Sequence, residues 1–218
     1  MENNLQGREY FFSNAKYLKL DIPVPYEDIR KEAELLKDRF IEYRGKDSNG
    51  WLSLPIIGKS SSEPNSWQSY FTSAADAIPY MKPTDMAERC PVTLGWLNTV
   101  YPSKMYARVR FMLLKPGGVV DFHRDTEHMV LGATNVAITN PKGCAWHWKD
   151  GESLEFTPGD AYAMNIGYEH SIRNNSQEDR YHIIVHHYDS TDEWKKLITD
   201  AMDKHETQGN FLYSTELF

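Results

Sequence analysis

The sequence predicts a mainly β fold with flanking helices, an antiparallel sandwich or jelly roll inside and helices outside. Three observations carry that expectation. Across residues 106–188, short runs of alternating apolar and polar positions are broken by Gly, Pro and Asn clusters about every 8 to 12 residues. Residues on either side of that stretch space their apolar positions by three and four, the period of a helix face. No internal repeat with a period of roughly 20 to 50 residues is visible.

The first helical pattern covers residues 26–44, with Ile29, Ala33, Leu36, Phe40 and Tyr43 forming a stripe between charged residues. Pro25 precedes it, and Gly45 stands where a C-cap belongs. A second helix is expected over 93–100, opened by Cys90-Pro91 and closed before Pro102. A third begins after Ser190-Thr191-Asp192, with Thr191 as N-cap and Trp194, Leu197, Ile198 and Met202 on one face. Between the first two, residues 59–66 read Lys-Ser-Ser-Ser-Glu-Pro-Asn-Ser, a surface loop that is either a plain connector or a flap.

In the β region, Ala107, Val109, Phe111 and Leu113 share one face of a strand, and Pro116-Gly117-Gly118 turns the chain. Further strands are expected over 119–122, 134–139, 153–156 and 161–164, and the longest over 180–188. Residues 1–218 then make a single domain. Its parts are a helical and loop front half (1–105), a β core (106–188) and a C-terminal helix and tail (189–218).

Composition narrows the function. A chain of 218 residues with 40% apolar and 13% aromatic residues can build a core and is no disordered segment. Lys and Arg number 24 against 31 Asp and Glu, a formal net charge of −7, and no basic cluster offers a nucleic-acid footprint. No uncharged apolar run approaches the roughly 18 residues of a membrane span. The opening residues show neither the basic nor the apolar region of a signal peptide, and two cysteines do not make a disulfide scaffold. The expectation is a cytoplasmic protein without nucleic-acid or membrane partners, of open oligomeric state.

His123-Arg124-Asp125 follows the strand over 119–122. Residues two apart on an extended chain point the same way, so His123 and Asp125 can offer a nitrogen and an oxygen to one ion. His170 lies downstream after another short strand, and Arg180 follows ten residues later. Two histidines and one carboxylate on a β-scaffold form the facial triad of non-haem Fe(II) oxygenases, whose open positions accept a 2-oxo acid and dioxygen. A 2-oxo acid with a second carboxylate also needs a buried cation, and the planar fork of arginine suits it best. Arg108 and Arg110 occupy the face opposite Ala107 and Val109. They either point into the barrel, to meet a substrate carboxylate, or lie on a solvated strand face. His182 and His186 share parity with Arg180 and either line the pocket or pack as core histidines, with His182 the candidate for substrate binding. Trp146, His147 and Trp148 wall a pocket or simply pack. The stretch from Asn174 to Gln177 reads as a turn. Cys144 with His147 lacks the paired spacing of a zinc site.

The segment 108–187 resembles the aspartyl/asparaginyl β-hydroxylase-like family of Fe(II)/2-oxoglutarate-dependent dioxygenases, which includes bacterial proline hydroxylases. The resemblance rests on Arg108-Val109-Arg110-Phe111-Met112-Leu113-Leu114-Lys115-Pro116-Gly117, His123-Arg124-Asp125, Asn140-Pro141-Lys142-Gly143-Cys144, Pro158-Gly159-Asp160, Asn165, His170, Asn174 and Arg180-Tyr181-His182. It extends forward, less specifically, to Gly50-Trp51 and the Cys90-Pro91 helix. It implies a double-stranded β-helix, the cupin-like jelly roll, with Fe(II) on His123, Asp125 and His170 and the distal carboxylate of 2-oxoglutarate on Arg180. Asn135 falls where some members place a histidine for the cosubstrate's other carboxylate. Retention of Asp125 is similar to the free amino-acid hydroxylases, since animal peptidyl β-hydroxylases lack that carboxylate. The expected activity is hydroxylation of a small amino acid or derivative, with succinate and CO2 as co-products. The competing readings are a peptidyl aspartyl/asparaginyl hydroxylase and a non-catalytic metal-binding jelly roll.

Overall fold

The structure, a computed structural model, describes residues 15–43, 49–63, 82–125, 133–187 and 191–207. In chain order the elements are β1 (Tyr17–Leu20), α1 (Tyr26–Leu35), β2 (Ile41–Glu42), β3 (Trp51–Gly58), β4 (Lys82–Pro83), α2 (Pro91–Thr99), β5 (Tyr106–Leu114), β6 (Val119–His123), β7 (Ala133–Ala137), β8 (Cys144–Trp148), β9 (Ser153–Leu154), β10 (Ala161–Met164), β11 (His170–Asn174), β12 (Arg180–His187) and α3 (Asp192–Thr207). None of the helices is long and apolar enough to cross a membrane.

The strands form two antiparallel sheets. The larger runs β1-β10-β7-β12-β5-β3-β2, with β4 also on β3, and the smaller runs β6-β11-β8-β9. From β5 to β12 the chain passes back and forth between the two sheets, which is the winding of a double-stranded β-helix. Period two then divides each strand of the larger sheet between two cores. Val109, Phe111, Leu113, Val136, Tyr181, Ile183 and Val185 join the core beneath the helices. Met112, Leu114, Ala137, Tyr162 and Met164 meet Val120, Trp146, Trp148 and Ile172 of the smaller sheet in the core between the sheets.

The helix expected over 26–44 ends at Leu35. Phe40 and Tyr43 follow on extended chain, and the reason is that they serve different cores. Phe40 packs on Phe111 and Tyr181 beneath the helices, whereas Tyr43 packs edge-on against Trp51 between the sheets. One helix face cannot do both. Arg44 and the expected cap Gly45 lie outside the described residues, as do 64–66 of the expected loop; residues 59–63 of it belong to no helix or strand.

The front half, expected to be helix and loop, also supplies β1 to β4. β3 was hidden because both of its faces are buried, so it reads as an apolar run without alternation. Pro55, which has no amide hydrogen to give, sits where its pairing with β5 shifts register. The strand expected over 134–139 is Ala133–Ala137, and that over 153–156 shortens to Ser153–Leu154.

The outer helices are fixed by long-range caps. Cys90 precedes α2 without a side-chain cap, and the buried carboxylate of Glu32 on α1 takes over that role. It accepts hydrogen bonds from Val92 N at 2.6 Å, Thr93 N at 3.0 Å and Thr93 Oγ1 at 2.6 Å. An anion at a helix N-terminus is also favoured by the helix dipole. Burial pushes the neighbouring Cys90 thiol up to about 12, with Glu32 adding to the effect, so this thiol stays protonated. Thr191 caps α3 as expected, accepting from Trp194 N at 3.0 Å. Glu32→Ala leaves the α2 terminus unsatisfied in a buried setting. It is expected to cost about 3 kcal/mol, measured as a lower urea midpoint with an unchanged slope, and Glu32→Gln is expected to cost less.

Candidate active site

The Pro116-Gly117-Gly118 turn carries the chain from the larger sheet to the smaller one. Gly117 has φ of +71°, and a Cβ on Gly118 would lie 2.8 Å from the Lys115 carbonyl oxygen, so the turn needs both glycines. β6 follows and ends at His123, directly opposite His170 at the start of β11. The two imidazole rings are 4.4 Å apart between centroids. Asp125 follows two residues later, anchored by its amide to the Ile166 carbonyl at 3.0 Å. Its Oδ2 lies 3.6 Å from His123 Nε2. One ligand atom from each of His123, Asp125 and His170 lies within 4.8 Å of the others.

Both imidazoles are oriented in the same way. Nδ1 of His123 meets the Asp121 carbonyl at 2.7 Å, and Nδ1 of His170 meets the Tyr168 carbonyl at 2.8 Å. A carbonyl only accepts, so each Nδ1 carries a hydrogen and each Nε2 is the nitrogen left to serve as a metal ligand. Trp146 stacks on His170 at 4.4 Å and 17°, which holds that ring, while Trp148 packs against Tyr17. Two imidazoles and a carboxylate brought together in this manner fit a divalent iron centre.

The facing wall is the larger sheet. Along β12, Arg180, His182, Ile184 and His186 point between the sheets. They stand opposite Leu114, Met112, Arg110 and Arg108 of β5. Arg108 and Arg110 are buried, so neither lies on a solvated strand face. The Arg110 guanidinium lies 4.7 Å over the Tyr43 ring, and Arg108 Nε lies 3.4 Å from His186 Nδ1. Burial first, then the charges of Arg108 and Arg110, hold His186 well below the usual histidine range, so it is neutral. Asn135 on β7 is buried opposite Ile184 and Tyr162.

Arg180 is also buried, and burial pulls its guanidinium down to about 10, still charged at neutral pH. Its Nε donates to Asn140 Oδ1 at 3.0 Å and its Nη2 to His182 Nδ1 at 3.3 Å. Phe156 lies beneath it, 5.7 Å from the ring centroid. Among the described residues, no carboxylate forms an ion pair with Arg180. His182, a candidate pocket-lining residue, is buried and hydrogen-bonded to Arg180.

Several contributors gave no sequence signal of the part they play. The stretch from Asn174 to Gln177 is a turn as expected, but Asn174 is fully buried and acts as a clasp. Its Nδ2 donates to the carbonyls of Leu114 and Glu178, and its Oδ1 accepts from Ser176 and from the Cys144 thiol. It thereby ties the end of β5 and the entry to β12 to β11. Tyr43 and Phe156, beneath the arginines, are visible in sequence only as apolar positions. A groove of about 990 Å³ lies elsewhere, between α1 and the segment after β7, and includes neither the triad nor Arg108 and Arg110.

A jelly roll with a His-x-Asp and a distant histidine on its smaller sheet, and an inward arginine opening its last strand, is the layout of a 2-oxoglutarate-dependent oxygenase. The chain is an enzyme of that class, a hydroxylase. Residues 25–190 match the family model for aspartyl/asparaginyl β-hydroxylase, and the chain belongs to that family. Among solved structures, it is similar to the non-haem α-ketoglutarate-dependent epimerase SnoN from nogalamycin biosynthesis, with TM-score 0.50 and 12% identity over 87% of this chain and 84% of that one. A Pseudomonas putida prolyl-4-hydroxylase gives TM-score 0.46 and 11% identity over 86% of this chain and 100% of that one. At these identities the likeness is one of fold. No curated protein matches the chain.

Because Trp146 stacks on His170, Fe(II) added anaerobically is expected to quench tryptophan fluorescence in a saturable way. His170→Ala and His123→Ala are each expected to abolish that saturable quench.

Proposed function

We propose that the protein hydroxylates a small amino acid or amino-acid-derived metabolite, with Fe(II), 2-oxoglutarate and O2, releasing succinate and CO2. His123, Asp125 and His170 would hold the iron, which with 2-oxoglutarate and dioxygen supplies the oxidising power to hydroxylate an unactivated C–H bond. Everything else is done by the chain. The two Nδ1–carbonyl hydrogen bonds keep the histidine ligands in one tautomer and one orientation. Arg180 receives the distal carboxylate of 2-oxoglutarate with a planar fork already squared by Asn140, and Asn135 supplies an amide on the neighbouring strand. Arg108 and Arg110 bind the substrate's carboxylate at the other end of β12. The two indoles and the apolar residues between the sheets keep water out.

The observation that carries this reading is the division of one buried wall into two cationic stations. Arg180 stands opposite Leu114 and Arg110 opposite Ile184, with the His182–Met112 level of the register between them. Arg110 and Arg108 are four and six positions along β5 from Leu114, roughly 13 to 20 Å from the Arg180 level. That separates a site for the cosubstrate from a site for a second anion. A substrate carboxylate held by buried arginines suits a free amino acid better than a residue within a peptide backbone.

Two measurements test it. Arg110→Met is expected to raise the substrate KM at least about tenfold, the loss of one charged hydrogen bond in a buried site, while succinate formed without substrate is unchanged. Arg180→Ala is expected to weaken 2-oxoglutarate about a hundredfold or more while Fe(II) binding persists; Arg180→Lys is expected to fall between, since it keeps charge but not the fork. A panel of free amino acids and Asp- or Asn-containing peptides, read by mass gain, distinguishes the amino-acid reading from the peptidyl one. Turnover of peptides alone would overturn the former.

A further inference from the structure

The loop between β10 and β11, residues 165–169, serves two members of the triad at once. Its Ile166 carbonyl accepts from the Asp125 amide at 3.0 Å, and its Tyr168 carbonyl accepts from His170 Nδ1 at 2.8 Å. His123 is oriented differently, by the Asp121 carbonyl of its own strand. A shift of the loop would therefore carry Asp125 and His170 away from His123 together.

Asn165, almost fully buried, is what holds the loop. Its Oδ1 accepts from the Gly167 amide at 3.2 Å and closes the turn, while its Nδ2 donates to the Ala15 carbonyl at 3.2 Å. Its backbone amide donates to the Lys16 carbonyl at 2.9 Å. A side-chain amide has one accepting and one donating end, so Gly167 and Ala15 fix which way it faces. The bonds to Ala15 and Lys16 leave the loop for a segment that precedes the residues matched by the family model. That segment is itself fastened to the smaller sheet. The buried Lys16 ammonium pairs with Asp150 and, at 2.5 Å, with Glu152, both between β8 and β9. The Tyr17 ring stacks on Trp148, whose backbone stands opposite His170.

We propose that Asn165 is a positioning residue for the metal, with residues 15–17 as its outer support. The tie to Ala15 and Lys16 keeps the Ile166 and Tyr168 carbonyls where Asp125 and His170 converge on His123. Affinity for a divalent metal then depends on a segment that supplies no ligand. Coupling of this kind is reciprocal, so a bound metal must hold the loop against residues 15 and 16 by the same factor. The inference rests on the reading of the triad as a metal centre, and the experiment separates the two.

Zn(II), a diamagnetic stand-in for Fe(II), lets both sides of the coupling be measured on the full chain. Competition with a chromophoric chelator gives its affinity, and NMR gives amide exchange. Asn165→Asp keeps the acceptor for Gly167 and loses the donor to Ala15. The added negative charge would by itself draw a cation closer, so a loss of affinity reports the broken tie. Asn165→Asp is expected to bind Zn(II) about tenfold more weakly than the parent. In the parent, saturating Zn(II) is expected to slow exchange of the Asn165 amide by about the same factor. That slowing should exceed any change at the Thr93 amide, which Glu32 holds on the helix side. His123→Ala is expected to remove it, which locates the effect at the triad. Parental affinity in Asn165→Asp, or equal slowing at Asn165 and Thr93, would overturn the tie and leave the metal centre standing. A parent without saturable Zn(II) binding would overturn the metal reading, and the tie with it. Should Asn165→Asp fail to fold, the exchange measurement on the parent decides alone.

Discussion

Alternation along β5 and β12 is the constraint on which the rest of the molecule depends. Each of these strands is gripped on one face by the apolar core beneath the helices, where Val109, Phe111, Ile183 and Val185 are fully buried. A slip of one residue would place all of these against the polar interior and drive arginines into the helix side. The apolar face thus fixes register, and register fixes where each cation stands. Helices α1 and α2, locked to each other through Glu32, act on the site only by way of this grip.

Holding guanidinium groups away from water is expensive, and the structure offsets the cost locally in different ways. Arg110 rests on the face of Tyr43, a cation–π contact. Arg108 lies against a histidine that its own charge helps to keep neutral. Arg180 uses an amide oxygen, an imidazole nitrogen and a phenyl ring. The hydrogen-bond partners of Arg180 among the described residues are neutral acceptors, which orient the cation without cancelling its charge.

How much of this was legible in the sequence depended on whether a residue's role is local. His123 and Asp125 share a face because extended chain dictates it, and the parity of Arg180 with His182 needs no tertiary information. The burial of Arg108 and Arg110 could not be read, because parity names a side without saying what covers it. β3 was invisible as a strand because burial on both faces erases alternation. Tyr43 continued a helical spacing by coincidence, and only the separation of the two cores shows that it left the helix. Glu32 and Asn174 act across long sequence separations, and nothing near either residue distinguishes a structural clasp from an ordinary helix glutamate or turn asparagine. Asn140 lay in a stretch that resembled the family, without a role until its hydrogen bonds were seen.

The family match stops short of two described elements that meet in space. β1, the edge strand of the larger sheet, precedes residue 25 and α3 follows residue 190; Leu18 and Leu20 share the core beneath the helices with Trp194 and Ala201, and Lys204 Nζ lies 2.6 Å from Asp21 Oδ2. β1 is also what pairs with β10, its backbone matched residue for residue from Tyr17 with Met164 to Leu20 with Ala161. Without β1, β10 would be a bare edge, its amides and carbonyls exposed to any other extended chain. The segments flanking the matched core therefore serve as its selvedge. They move the border of the larger sheet one strand outward, from β10 to the four-residue β1, so the strand at the margin is one that the matched family core does not itself contain.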